Sequence, residues 1–158
     1  LKLQQLQKEF IEINTKRANK WQFTPDQKAI YDFVIKSQRY TTFNIAGYDI
    51  ILKVGNEDFG FKHFLLKHYG TGCVGEIKAN DILKLGNVIK HNISVPAKED
   101  KIKFIQTKGD LKYSVVLKPQ KDGKLVVSFF SSKEEIKIIE QIEIINKISI
   151  SVEIETKL

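Results

Sequence analysis

At 158 residues with 42% hydrophobic content, the chain is long enough for one sizeable core and too short for two large independent domains. Its net charge of +7 rests almost wholly on lysine, since Arg17 and Arg39 are the only arginines. That excess favours a polyanionic partner met by point charges rather than bidentate forks, with ordinary solvated lysines as the competing account. The lone Cys73 excludes an internal disulfide and a thiolate zinc cluster, and no stretch approaches the roughly 20 apolar residues that span a bilayer. The N-terminus lacks a signal-peptide layout. The chain begins at Leu1 and contains no methionine, so it reads as a piece of a longer product.

In chain order, Leu3, Leu6, Phe10 and Ile13 recur at helical spacing, which predicts an amphipathic helix to about Trp21. Thr24-Pro25-Asp26 reads as a second helix start, with Ile30, Phe33 and Val34 as a buried stripe up to about Ser37. Residues 1–40 therefore form a helical leading segment without catalytic groups, and 41–158 an α+β domain. Over 41–54 β-branched and aromatic residues concentrate, with Ala46-Gly47 as a tight turn between short strands. Gly55-Asn56-Glu57-Asp58 ends that stretch and offers a cap to a helix closing at Gly70 and Gly72. Another helix fits 76–85 through Ile77, Ile82 and Leu85.

After Pro96 the period changes, and 101–106, 111–118 and 124–130 read as three strands separated by short turns. Turns of that length connect neighbours, so the strands form an antiparallel meander. Further on, Ile136, Ile139, Ile142 and Ile145 fit a helix, whereas Ile148, Ile150, Val152 and Ile154 alternate as a strand does. The order of elements gives an α+β fold, with N-terminal helices packed on a twisted antiparallel β-meander.

Two of the three histidines stand five apart in Phe61-Lys62-His63-Phe64-Leu65-Leu66-Lys67-His68-Tyr69-Gly70, the third being His91. Imidazole both takes and gives a proton near neutral pH. Five helical positions set the two rings about 140° apart, so one face does not present both equally. His68 shares the apolar stripe of Phe61, Phe64 and Leu65, and a core or capping histidine fits the spacing as well as a catalytic one.

Other chemistries fail on spacing. Gly70, Gly72 and Gly75 match neither a phosphate loop nor a dinucleotide fingerprint. His63 and His68 are not four apart and lack the helical glutamate of the zinc motif, and Cys73 has no nucleophile setting. No metal or cofactor is expected. Histidine with lysines and hydroxyls on strands suits metal-free RNA cleavage: a base removes the 2′-OH proton, an acid protonates the leaving 5′-oxygen, and cations steady the phosphate.

Alternation sets Lys112, Ser114 and Val116 against Tyr113, Val115 and Leu117, and Val126, Ser128 and Phe130 against Leu125, Val127 and Phe129. With the second set of each pair packed on helices, Lys112, Ser114 and Ser128 point to an open face, beside Lys103 and Thr107. Such a basic, hydroxylated face can seat a scissile phosphate or be an ordinary solvated sheet surface.

The Lys62–His68 segment, the helix ending near Leu85-Gly86-Asn87-Val88-Ile89 and the closing Leu125-Val126-Val127-Ser128-Phe129-Phe130 resemble the phage-associated branch of the barnase, EndoU, colicin and RelE-like ribonuclease superfamily. The resemblance covers about residues 45–132. It implies a helical half on a four- or five-stranded antiparallel sheet, acting as a toxin domain of a large prophage or contact-dependent inhibition protein. On it, His63 and His68 are the acid and base in either order, Lys103 and Lys112 offset phosphate charge, and Ser128 with Tyr113 orients the substrate. Lys62, Lys67, Thr107 and Ser114 would bind RNA. Family members commonly carry an arginine in the meander, but none follows Arg39 here. The resemblance further implies an acidic immunity protein as partner and delivery into a target-cell cytoplasm. The alternatives are a non-catalytic nucleic-acid- or protein-binding module of a phage structural protein and a chelator-sensitive DNA-cutting enzyme.

Overall fold

The computed structural model describes residues 1–134 and 145–148. Helical spacing lays Leu6 and Phe10 along one face of α1 (Lys2–Arg17), where both are fully buried. The helix stops short of Trp21 because the backbone leaves helical geometry at Ala18 (ψ 125°) and Asn19 (φ 67°), and the Arg17 guanidinium then lies over the Phe23 ring, 3.7 Å from its centroid. α2 (Pro25–Ile35) begins with proline in its first turn, and the Gln27 side chain accepts the Thr24 N–H at 3.1 Å.

Ala46 and Gly47 both hold positive φ, 51° and 87°, the turn geometry whose twist matches a two-residue hairpin. They join β1 (Tyr40–Ile45) to β2 (Tyr48–Lys53) in antiparallel register, Ile45 opposite Tyr48. Next come α3 (Gly60–His68), α4 (Ala79–Leu83) and α5 (Leu85–Lys90). The single helix expected over 76–85 is thus displaced and broken at Lys84. The Asp81 carboxylate accepts the Lys78 N–H at 2.9 Å and fixes the later start. β3 (Val95–Pro96), β4 (Ile102–Lys108), β5 (Leu111–Pro119) and β6 (Leu125–Glu134) complete the described strands.

The fold is α+β, and among the described residues the helices pack with a six-stranded sheet in the order β1-β2-β6-β5-β4-β3. From β3 to β6 each neighbour pairs antiparallel, the expected meander. The sheet as a whole is mixed, which corrects the purely antiparallel expectation: β2 runs parallel to β6 through Ile50 opposite Leu125 and Ile51 opposite Val126. A parallel pair requires a long crossover, and no turn residue announces it. Ile136, Ile139 and Ile142 of the expected helix and Ile150, Val152 and Ile154 of the expected strand lie outside the described residues; 145–148 is helical, as expected for Ile145 and contrary to the strand expected to begin at Ile148.

One apolar cluster unites Leu6 and Phe10 of α1, Phe33 of α2, Phe64 of α3 and Ile82 of α4 with Phe104, Val115, Leu117, Val127 and Phe130 of the sheet. The leading helices share this core, so α1 also positions α3. The Lys2 ammonium donates to the Leu66 and Tyr69 carbonyls at 3.0 and 2.7 Å, serving bare acceptors at the end of α3.

A register shift between β5 and β6 corrects the alternation read for the last strand. Val116 pairs with Phe129 and Leu117 with Val127, so Ser128 is the extra residue of a β-bulge. The bulge advances the phase by one. Phe130 is therefore core, 1% exposed, and Phe129 joins Val116 and Ser114 on the open face, the reverse of the expectation.

Candidate active site

The loop before α3 is shaped by two glycines. Gly55 has φ +67° and a side chain there would strike the Phe59 carbonyl, while Gly60, φ +80°, packs against the Lys53 carbonyl. Between them the Asn56 side chain accepts the N–H groups of Asp58 and Phe59 at 2.8 and 3.2 Å. This tight loop turns the Glu57 carbonyl toward His63, whose Nδ1 lies 2.6 Å away. A carbonyl only accepts, so Nδ1 donates, and the neutral ring keeps its lone pair on Nε2. That Nε2 is buried, and among the described residues it has no hydrogen-bond partner.

α3 lies along β6 with aromatic contacts on both sides of the strand. Phe64 meets Phe130 at 5.8 Å between centroids on the core side. His63 and His68 meet Phe129, at 5.2 and 5.3 Å, on the other. The two imidazoles are 5.9 Å apart between centroids. Although five positions apart, the two rings meet each other and share Phe129 as a common neighbour.

Burial holds His68 below the ordinary imidazole pKa, and the charges of His63, Lys133 and Lys2 add to the effect. The folded chain thus binds fewer protons than the unfolded one once pH falls under about 6.5. Stability present above that pH is lost as pH drops toward the folded value. Thermal midpoints measured between about pH 7.5 and 5.5 should fall in that window, and His68→Gln should flatten the slope. An unaltered slope in the variant would assign the effect to another group.

Phe129 also walls a hollow of about 210 Å³ on the open face, with Lys103, Lys112, Ser114, Val116, Ser131 and Lys133. Three of the expected residues, Lys103, Lys112 and Ser114, are thereby gathered next to the histidine pair. Thr107, opposite Lys112 in register, is exposed at the far end of the same face. Lys133 and Phe129 belong to this site and were missed, since both depend on the bulge and on a strand longer than its apolar run.

The other expected residues lie elsewhere. Tyr113 points to the opposite, core side, where Lys108 sits 5.9 Å from its ring and burial, with Asp81 nearby, raises its hydroxyl pKa. Alternation along β5 dictates that separation. Ser128 lines a neighbouring hollow of about 340 Å³ with Lys53, Lys101 and Lys118. Lys62 borders an apolar groove between α1, α2 and α3, and Lys67 is exposed. Among the described residues no helix is long and apolar enough to cross a membrane, and no three His, Cys, Asp or Glu side chains are placed to hold a metal ion. The chain matches no protein-family model, and neither a curated protein nor a solved structure matches it.

Proposed function

We propose that the chain is an endoribonuclease domain that cleaves by 2′-OH attack without a metal, a toxin module of the ribonuclease superfamily its sequence resembles. The observation that carries this reading is the placement of two imidazoles against one edge of a hollow lined by Lys103, Lys112 and Lys133. His63 is the base, because its Nδ1–H is held by the Glu57 carbonyl and its lone pair is on Nε2. The 2′-oxygen gives its proton to His63 Nε2 and bonds to phosphorus. The phosphorus to 5′-oxygen bond breaks, and His68 protonates the departing 5′-oxygen, leaving a 2′,3′-cyclic phosphate and a 5′-hydroxyl end.

His68 needs a proton for that step although its surroundings disfavour one. The phosphodiester supplies the remedy: its charge offsets Lys133 and raises His68 in the complex. Phe129 must turn aside for a ribose to reach Nε2. An acidic immunity protein covering the lysine face suits the charge, since complementary potentials speed association.

Total RNA incubated with the purified chain in EDTA should acquire new 2′,3′-cyclic phosphate ends, read by end-specific ligation and sequencing. The buried Nε2 is the one observation favouring a non-catalytic nucleic-acid-binding module instead. That module would bind RNA and leave no new ends.

A further inference from the structure

The second hollow is not explained by the cleavage step. Lys53 at the end of β2, Lys101 just before β4 and Lys118 near the end of β5 converge on it from three elements. Like charges brought to one concavity repel, and the field they focus draws an anion. Two carboxylates oppose them: Asp58 on the rim, and Glu99, which lies 3.7 Å from Lys101 and is itself 76% exposed. Ser128, the extra residue of the bulge, adds a hydroxyl to the same wall. Phe59, 37% exposed, offers an aromatic face at the rim.

The two hollows adjoin. Val116 and Lys118 are two apart on one face of β5, a step of about 6.6 Å, and Ser128 is next to Phe129 on β6. Loop residues 57–59 serve both, Glu57 by holding His63 and Asp58 with Phe59 by edging the second hollow. Cations that track a backbone, with aromatic faces between them, are the means by which proteins hold single strands.

We propose that Lys53, Lys101 and Lys118 with Ser128 form a second phosphate subsite, which takes the phosphodiester flanking the scissile one on single-stranded RNA. The subsite rests on the ribonuclease reading for its place beside a scissile bond. Its ligand is a backbone phosphate, with Phe59 stacking on the adjoining base.

The test is a Lys53→Gln/Lys101→Gln/Lys118→Gln variant, assayed for anisotropy of a fluorescein-labelled 2′-O-methyl RNA octamer across salt concentrations. Each phosphate contact on a single strand contributes about −0.7 to the slope of log affinity against log salt, and the subsite holds one phosphodiester, so the variant's slope should be shallower by about 0.7. For cleavage of long RNA the KM should rise about tenfold or more with kcat kept, and dinucleoside monophosphates, too short to reach the subsite, should be cut as by the unaltered chain. An unchanged slope with cleavage intact would overturn the subsite and leave the ribonuclease reading standing. A shallower slope with no cleavage by either protein would keep the subsite and remove the catalysis. No binding of the octamer by the unaltered chain would overturn both.

Discussion

Replacing His63 by alanine should lower RNA cleavage by about 10²–10⁴-fold, the range that one positioned general acid or base contributes. His68→Ala should fall as far. The double variant should be little worse than either, because base and acid act in one displacement and their losses do not add. Affinity for a 2′-O-methyl RNA should stay within about twofold in all three, since the lysines of the open face supply the phosphate contacts. The geometry makes His63 the sharper test. Its Nδ1 is committed to the Glu57 carbonyl at 2.6 Å, and among the described residues its Nε2 has no partner to satisfy. Loss of the ring therefore removes a proton acceptor and leaves one backbone carbonyl bare on an exposed loop. Cleavage by His63→Ala at the unaltered rate would sink the assignment, provided its thermal midpoint shows a folded chain.

Local periods and turns made much of the fold readable. The stripe of Leu6 and Phe10 gave α1, Thr24-Pro25 gave α2, and the Ala46-Gly47 turn and the short turn between 106 and 111 gave the antiparallel pairs around them. Whatever depends on distant partners was not readable. The parallel pairing of β2 with β6 joins residues about one half of the chain apart through no sequence mark of its own. The Lys2 contact with the end of α3 links residues 64 and 67 positions apart. Lys103, Lys112 and Ser114 share one open face, as alternation along an uninterrupted strand has them. Tyr113 was attached to the same chemistry only by resemblance, and alternation itself puts it on the other side.

The bulge explains why the site was only partly visible. Glycine or a break in apolar content can signal a bulge; Val126-Val127-Ser128-Phe129-Phe130 has no glycine, and its one break, Ser128, fits an open-face position of a regular strand equally well. A strict period of two puts Phe129 in the core and both histidines out of reach of any aromatic wall. One inserted residue reverses this, sending Phe129 to the histidines and Phe130 to Phe64. It also turns Ser128 toward the lysines of the second hollow. A single irregularity thus sets both the fit of the core and the composition of the candidate site.

Phe130→Ala should accordingly cost about 3–5 kcal/mol of folding free energy, the usual loss for a fully buried phenyl ring. The ring is 1% exposed and meets Phe64 edge to face, so its removal leaves a cavity between α3 and the sheet. For a chain of this length the thermal midpoint should drop by about 10 °C. Phe129→Ala should cost only about 1 kcal/mol, because its ring is half-exposed and abuts two imidazoles rather than the apolar cluster. It should have a separate signature: opening His68 to water relieves the burial that lowers it, so its NMR titration should move up toward the ordinary imidazole value. Regular alternation predicts the opposite ranking, with Phe129→Ala the damaging change. Equal midpoints for the two variants, or a larger loss in Phe129→Ala, would mean that β5 and β6 pair without the bulge, and the histidines would then have no shared wall with the lysine hollow.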